Sequence, residues 1–288
     1  MKYLVVKAWL GFGDRLESLK MAVAFAQAFK LQIYVDWSDE MWSHGNENFY
    51  TCFKLNIPTL NSISEIPEDA TVYPPYWQGK LNDKLTKELV DKSKELNLDI
   101  GLLNKDFNAD VVVFSSIGYR TLYPDSKFFG EVFRVIDPRI LQKLKERKQK
   151  YPIQNSRGIH IRGTDRLRPH KRILSVQSLV SLVVTNGALN GPKMTVVSDD
   201  KENALIWKRF FPESFLVSEL SLQQTSLAGN HNLGKDSLSS PKDEINVDMI
   251  SDFFTLASCY PIYTTCKDSR FAHEARRLHP FVNMILGQ

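Results

Sequence analysis

Apolar and polar positions along the chain change period several times, and each change marks an element. Continuous or alternating apolar runs at 2–9 (KYLVVKAW), 31–37 (LQIYVDW), 70–77 (ATVYPPYW) and 110–116 (DVVVFSS) have the length and β-branched content of strands. Between them, 15–30 (RLESLKMAVAFAQAFK) and 82–97 (NDKLTKELVDKSKELN) space apolar residues three and four apart, as one face of a helix does. A further helix is predicted over 136–151, where Asp137 can cap it and Pro138 can occupy its first position. The polar PIQNSR that follows marks a domain boundary.

The second half repeats the scheme. Strands are predicted at 157–162, 193–200, 213–218 and 260–265, and helices at 201–211, 247–259 and 269–279. Glu219 to Asn246 is rich in Ser, Gly, Asn and Lys and reads as a long loop. Strands alternating with helices predict an α/β fold with parallel sheets covered on both faces. Two such series predict two Rossmann-like domains facing a cleft, 1–151 and 152–288. Ligands of such folds gather at the carboxyl ends of the strands.

Composition narrows the function classes. A chain of 288 residues with 43% apolar and 24% charged residues is that of a globular protein of one large or two ordinary domains. The net charge of +4 is mild, and Lys and Arg alternate with acids, so no nucleic-acid stripe is expected. No window of eighteen apolar residues occurs, and MKYLVVKAWLGFGD reads as a core strand entering a glycine loop, not as a signal peptide. No membrane span, stem or anchor is therefore expected, which suits a cytosolic protein of a bacterium or of a virus-infected host. Cys52, Cys259 and Cys266 are expected as free, reduced thiols.

Candidate chemistry falls at the strand ends. GIHIRGTDRL (158–167) delivers His160, Arg162, Asp165 and Arg166 to one loop, and alternation puts His160 and Arg162 on one side of their strand. Arg162 can pair with Asp165 on the surface, or the cluster can hold an anion, since guanidinium matches phosphate oxygens and keeps its charge when buried. Gly11 to Asp14 (GFGD) is either a tight turn or a phosphate cradle at a helix N-terminus. Asp199 and Asp200 can cap the following helix, act as a base or bind a metal, and Ser269 can cap a helix or meet a phosphate.

Taken in order, these motifs resemble those of the fucosyltransferase superfamily that includes nodulation and core α1,6-fucosyltransferases. GFGDRLESLKMAVAFAQAFKLQIYVDW is similar to the nodulation enzymes' N-terminal segment, and GIHIRGTDRL to the core enzymes' H-V-R-R-T-D-K-V. VVSDD, AGNHN (228–232) and SDFFTLASCYPIYTTCKDSRFAHEA resemble three further segments in the same order, with weak similarity from about 40 to 150. The resemblance implies a GT-B glycosyltransferase that uses GDP-fucose, inverts at the anomeric carbon and requires no metal or other cofactor. It implies a glycan acceptor, met by the first domain, and a donor held by the second. Arg162 would meet the β-phosphate of departing GDP, with His160 and Ser269 completing that site and Asp165 and Asp199 beside it. Asp252 would help bind the nucleotide, and the backbone of Phe12 and Gly13 would approach it. Three positions depart from the family pattern. Its second arginine is Gly163 here, its glutamate base is replaced by His170, and Arg270 stands for a glutamine. His170 or Asp14 would then be the general base. Xylosyl or rhamnosyl transfer on the same scaffold, and a non-catalytic nucleotide-sugar or glycan binder, are the alternatives.

Overall fold

Each half of the chain builds its own parallel sheet. The structure, a computed structural model, describes residues 1–98, 100, 106–116, 126–163, 174–187, 193–219 and 240–288. The chain divides into two compact units, Met1–Ile136 with Asn283–Gln288, and Asp137–Val282.

The first unit runs β1 (Tyr3–Ala8), α1 (Phe12–Phe29), β2 (Gln32–Asp36), α2 (Phe49–Cys52), β3 (Phe53–Leu55), β4 (Val72–Tyr73), α3 (Lys87–Asp91), β5 (Val111–Ser116), α4 (Ser126–Val132) and β6 (Phe133–Val135). Its main sheet has the order β2-β1-β5-β4, with every pairing parallel. The strand expected at 70–77 shortens to β4 because Pro74 and Pro75 bring no N–H to a ladder, and Pro75–Trp77 turn into a 3-10 helix. The helix expected at 82–97 shortens to α3, which Thr86 caps by accepting from Leu89 N at 3.3 Å. The antiparallel pair β3–β6 escaped the sequence pattern, since three-residue strands are too short to show a period.

This unit buries charge near its strand ends. Arg15, 1% exposed, forms two hydrogen bonds to Asp39 at 2.8 and 2.7 Å, and its guanidinium lies 5.5 Å from the Trp37 ring and 5.2 Å from that of Trp42. Lys7 donates to Asp36 at 2.5 Å and to the Asp83 carbonyl at 2.7 Å.

The second unit runs α5 (Pro138–Lys150), β7 (Arg157–Ile161), α6 (Val176–Thr185), β8 (Met194–Ser198), α7 (Lys201–Phe210), β9 (Phe215–Leu216), α8 (Lys242–Ala257), β10 (Ile262–Thr264) and α9 (Arg270–Leu278); α10 (Val282–Ile285) follows. The sheet order is β10-β7-β8-β9, again all parallel. The sequence reading ended the first domain after Tyr151, whereas the contacts group α5 with the second unit. The reason is side-chain pairing: Arg147 of α5 reaches Asp248 and Asp252 of α8. The helix expected at 247–259 starts earlier, at Lys242, because the buried polar residues Lys242 and Asn246 hide its apolar period. Gly158 lets α8 sit close to β7: a Cβ there would stand 2.8 Å from Leu256 Cδ1 and 3.0 Å from Cys259 Cβ. The three cysteines are buried and form no disulfide. Among the described residues no helix is long and apolar enough to cross a membrane.

Candidate active site

The second sheet changes direction around β7. From β7 the chain goes first to β8 and β9 on one side, then returns to β10 on the other. A crevice opens outside the carboxyl ends of the two strands where such an order reverses, and ligands of open α/β sheets bind there. The residues that end β7 and β10 therefore line the natural site of this unit.

Those ends are tied together. Thr265 N donates to the His160 carbonyl at 3.0 Å, and Arg162 N donates to Thr265 Oγ1 at 2.9 Å. His160 Nδ1 lies 2.9 Å from Thr264 Oγ1, and the imidazole stacks on Phe271 with centroids 5.3 Å apart. Burial, helped by the nearby positive charges of Arg162 and Arg276, pushes the His160 pKa down to about 3. His160 is therefore a neutral hydrogen-bonding group at physiological pH, not a cation.

Arg162 follows β7 and pairs with Asp199, which follows β8: NH1 lies 2.5 Å from Asp199 Oδ2. The other oxygen of Asp199 accepts from Gly163 N at 2.9 Å, so one carboxylate holds both side chain and backbone of the loop. This fixes a guanidinium, always charged, just past the carboxyl end of β7. Asp200 lies against Gly163 and caps α7, accepting from Asn203 N at 2.9 Å. Ser269 caps α9 by accepting from Ala272 N at 3.3 Å, and Arg270 is the first residue of that helix. The positive end of α9 thus begins just beyond β10.

Asp252 sits on α8, 2% exposed. Its Oδ1 lies 2.8 Å from Arg147 NH2, an ion-pair contact, and its Oδ2 accepts from Ser218 Oγ at 2.5 Å. In the first unit, Phe12, Gly13 and Asp14 form the first turn of α1, with Gly11 as N-cap and no side-chain cap. The Phe12 ring is buried against Trp42 at 6.0 Å and Phe53 at 5.8 Å, and Gly13 beside it is buried too. Asp165 and His170 lie outside the described residues. The structure thus gathers His160, Arg162, Asp199, Ser269 and Arg270 along one edge of the second sheet. Residues missed by sequence reasoning are Thr264 and Thr265, visible as the polar pair ending YPIYTT, and Arg147, Ser198 and Ser218, which carried no signal.

Solved structures share this architecture. NodZ alpha-1,6-fucosyltransferase co-crystallised with GDP is 16% identical with a TM-score of 0.67, covering 96% of this chain and 92% of that one. Fucosyltransferase NodZ from Bradyrhizobium is 17% identical with a TM-score of 0.67, covering 96% and 93%. The chain has a fucosyltransferase-like fold. POFUT1 in complex with GDP shares this fucosyltransferase-like fold at 13% identity and a TM-score of 0.54, covering 96% and 94%. No protein-family model and no curated protein matches the chain.

Proposed function

We propose that the chain is an inverting glycosyltransferase of the GT-B type that transfers fucose from GDP-fucose to a hydroxyl of a glycan acceptor. The observation that carries this reading is the Arg162–Asp199 pair, in which Asp199 past β8 holds Arg162 past β7, a strand that borders the reversal point of the second sheet. Neighbours of the same fold support the donor: one NodZ structure was soaked with GDP-fucose, and POFUT1 was solved in complex with it.

In the reaction the acceptor oxygen attacks the anomeric carbon, the bond from that carbon to the β-phosphate oxygen breaks, and GDP leaves with the electron pair. A base removes the acceptor proton; the proposed bases are His170 and Asp14. Charge grows on the leaving phosphate, and Arg162, already oriented by Asp199, meets it without reorganising. His160, neutral and buried, offers the donor a hydrogen bond, and the N-terminus of α9 beyond Ser269 adds a favourable dipole. No step in this scheme calls for a metal. Donor turnover tests it: GDP release from GDP-fucose, with and without glycan acceptors, by the wild type and by Arg162→Ala.

One observation favours a second reading. Where the resembling family carries a second arginine, this chain has Gly163, and the side chain of Asp200 fills the space beside it. A carboxylate in place of a guanidinium suits a donor with altered sugar contacts, such as a xylosyl or rhamnosyl nucleotide. Comparing donors in the same assay separates the two.

A further inference from the structure

Behind the strand ends runs a buried line of polar side chains with no place in the scheme above. It starts at Arg147 on α5, 5% exposed, whose NH2 lies 2.8 Å from Asp252 Oδ1 and donates to the Val217 carbonyl at 2.8 Å. Asp252 accepts the hydroxyl proton of Ser218, so a lone pair of Ser218 Oγ turns outward and accepts from Ser198 N at 2.9 Å. Ser198 Oγ in turn lies 3.0 Å from the carbonyl of Ile161 and accepts from Asp200 N at 3.0 Å. Ile161 immediately precedes Arg162, and Asp200 immediately follows Asp199.

We infer that Arg147, Asp252, Ser218 and Ser198 are positioning residues for the Arg162–Asp199 pair. The inference rests on the proposed function and extends it. Asp252 accepts the Ser218 proton, which leaves the lone pairs of the Ser218 oxygen for Ser198 N. The line joins α5, α8 and the ends of β9, β8 and β7, so it sets the spacing at which two neighbouring strands present their last residues. Charge-assisted and buried bonds of this kind are shorter and stiffer than neutral surface bonds.

The experiment uses the full chain with Ser218→Ala, Ser218→Thr and Asp252→Asn, each also combined with Arg162→Ala. Turnover of GDP-fucose and backbone amide exchange are both measured. Ser218→Ala should lower kcat about tenfold or more with KM little changed, Ser218→Thr should restore it, and in the Arg162→Ala background Ser218→Ala should have no further effect. Exchange should accelerate at the amides of Ser198, Asp200 and Gly163 together, by more than the loss of global stability measured in the same variants accounts for. Acceleration confined to Ser198, or an equal fractional loss of kcat with and without Arg162, would overturn the inference. A wild type that turns over no GDP-fucose would overturn the proposed function instead, and the exchange arm would still decide the positioning role.

Discussion

The side chain of Asp200 occupies the space that a side chain at Gly163 would need. Gly163 is thus glycine for lack of room, and Asp200 holds its position because it caps α7 through Asn203 N. Gly163→Ala should push Asp200 off its cap, a loss of about 1 kcal/mol for the cap on top of a packing strain of about 1–3 kcal/mol. Adding Asp200→Ala should relieve the strain, so the double variant should be no less stable than the Gly163→Ala single. Urea unfolding of the four proteins checks this; simple additivity of the two losses would contradict it.

Arg162 and Ser269 serve the same edge of the sheet with unequal weight. Removing a group aimed at developing charge lowers turnover by about 10²–10³-fold, and that is the loss expected for Arg162→Ala. Ser269→Ala should cost about 1 kcal/mol of stability through its cap and less than about tenfold in turnover. Steady-state rates of GDP-fucose turnover distinguish them. Equal small losses in both would remove Arg162 from the chemistry.

Much of the fold could be read from the chain because its long elements are locally consistent. β1, β2, β5, β7 and β8 fall within their apolar runs, and α5 begins where Asp137 and Pro138 place it. Failures occur where burial is polar or elements are short. The start of α8 is hidden by Lys242 and Asn246, and β3, β6 and α6 were not anticipated. At the site, the strand-end positions of His160, Arg162, Asp199 and Ser269 were legible because parallel sheets put loops there. Their partners were not. Pairing of Arg162 with Asp199 depends on β7 and β8 being neighbours, which no local pattern specifies. Arg147 looked like one more charge on an amphipathic helix, yet it is buried.

His160 makes stability depend on pH. Unfolded, histidine titrates near about 6.5, whereas burial holds it at about 3 in the folded chain. Between these values the unfolded chain binds the extra proton. The stability that goes with neutral His160 is complete above pH 6.5 and is lost as pH falls toward 3, at up to about 1.4 kcal/mol per pH unit. The wild type should therefore lose stability more steeply from pH 6.5 to 4.5 than His160→Gln does. Parallel losses in denaturant titrations at several pH values would refute the assignment.

Arg15 and Asp39 illustrate a different cost. The pair is buried and bidentate, with two aromatic rings beside the guanidinium. Asp39→Ala leaves a buried charge without its partner and should destabilise the protein by about 3–5 kcal/mol. Arg15→Met with Asp39→Ala should recover a good part of that. Guanidinium unfolding of the wild type and the two variants measures it, and a double variant as damaged as Asp39→Ala alone would contradict the account.

Thermal stabilisation by GDP, UDP and ADP, for the wild type and Arg162→Ala, tests the central claim most directly. A ligand that binds only the folded chain adds about 2.7 kcal/mol at a hundred times its Kd, enough to raise the melting point by several degrees. The account predicts a shift with GDP, little with UDP or ADP, and loss of the GDP shift in Arg162→Ala. No shift with any nucleotide, or a GDP shift that survives the loss of Arg162, would contradict it.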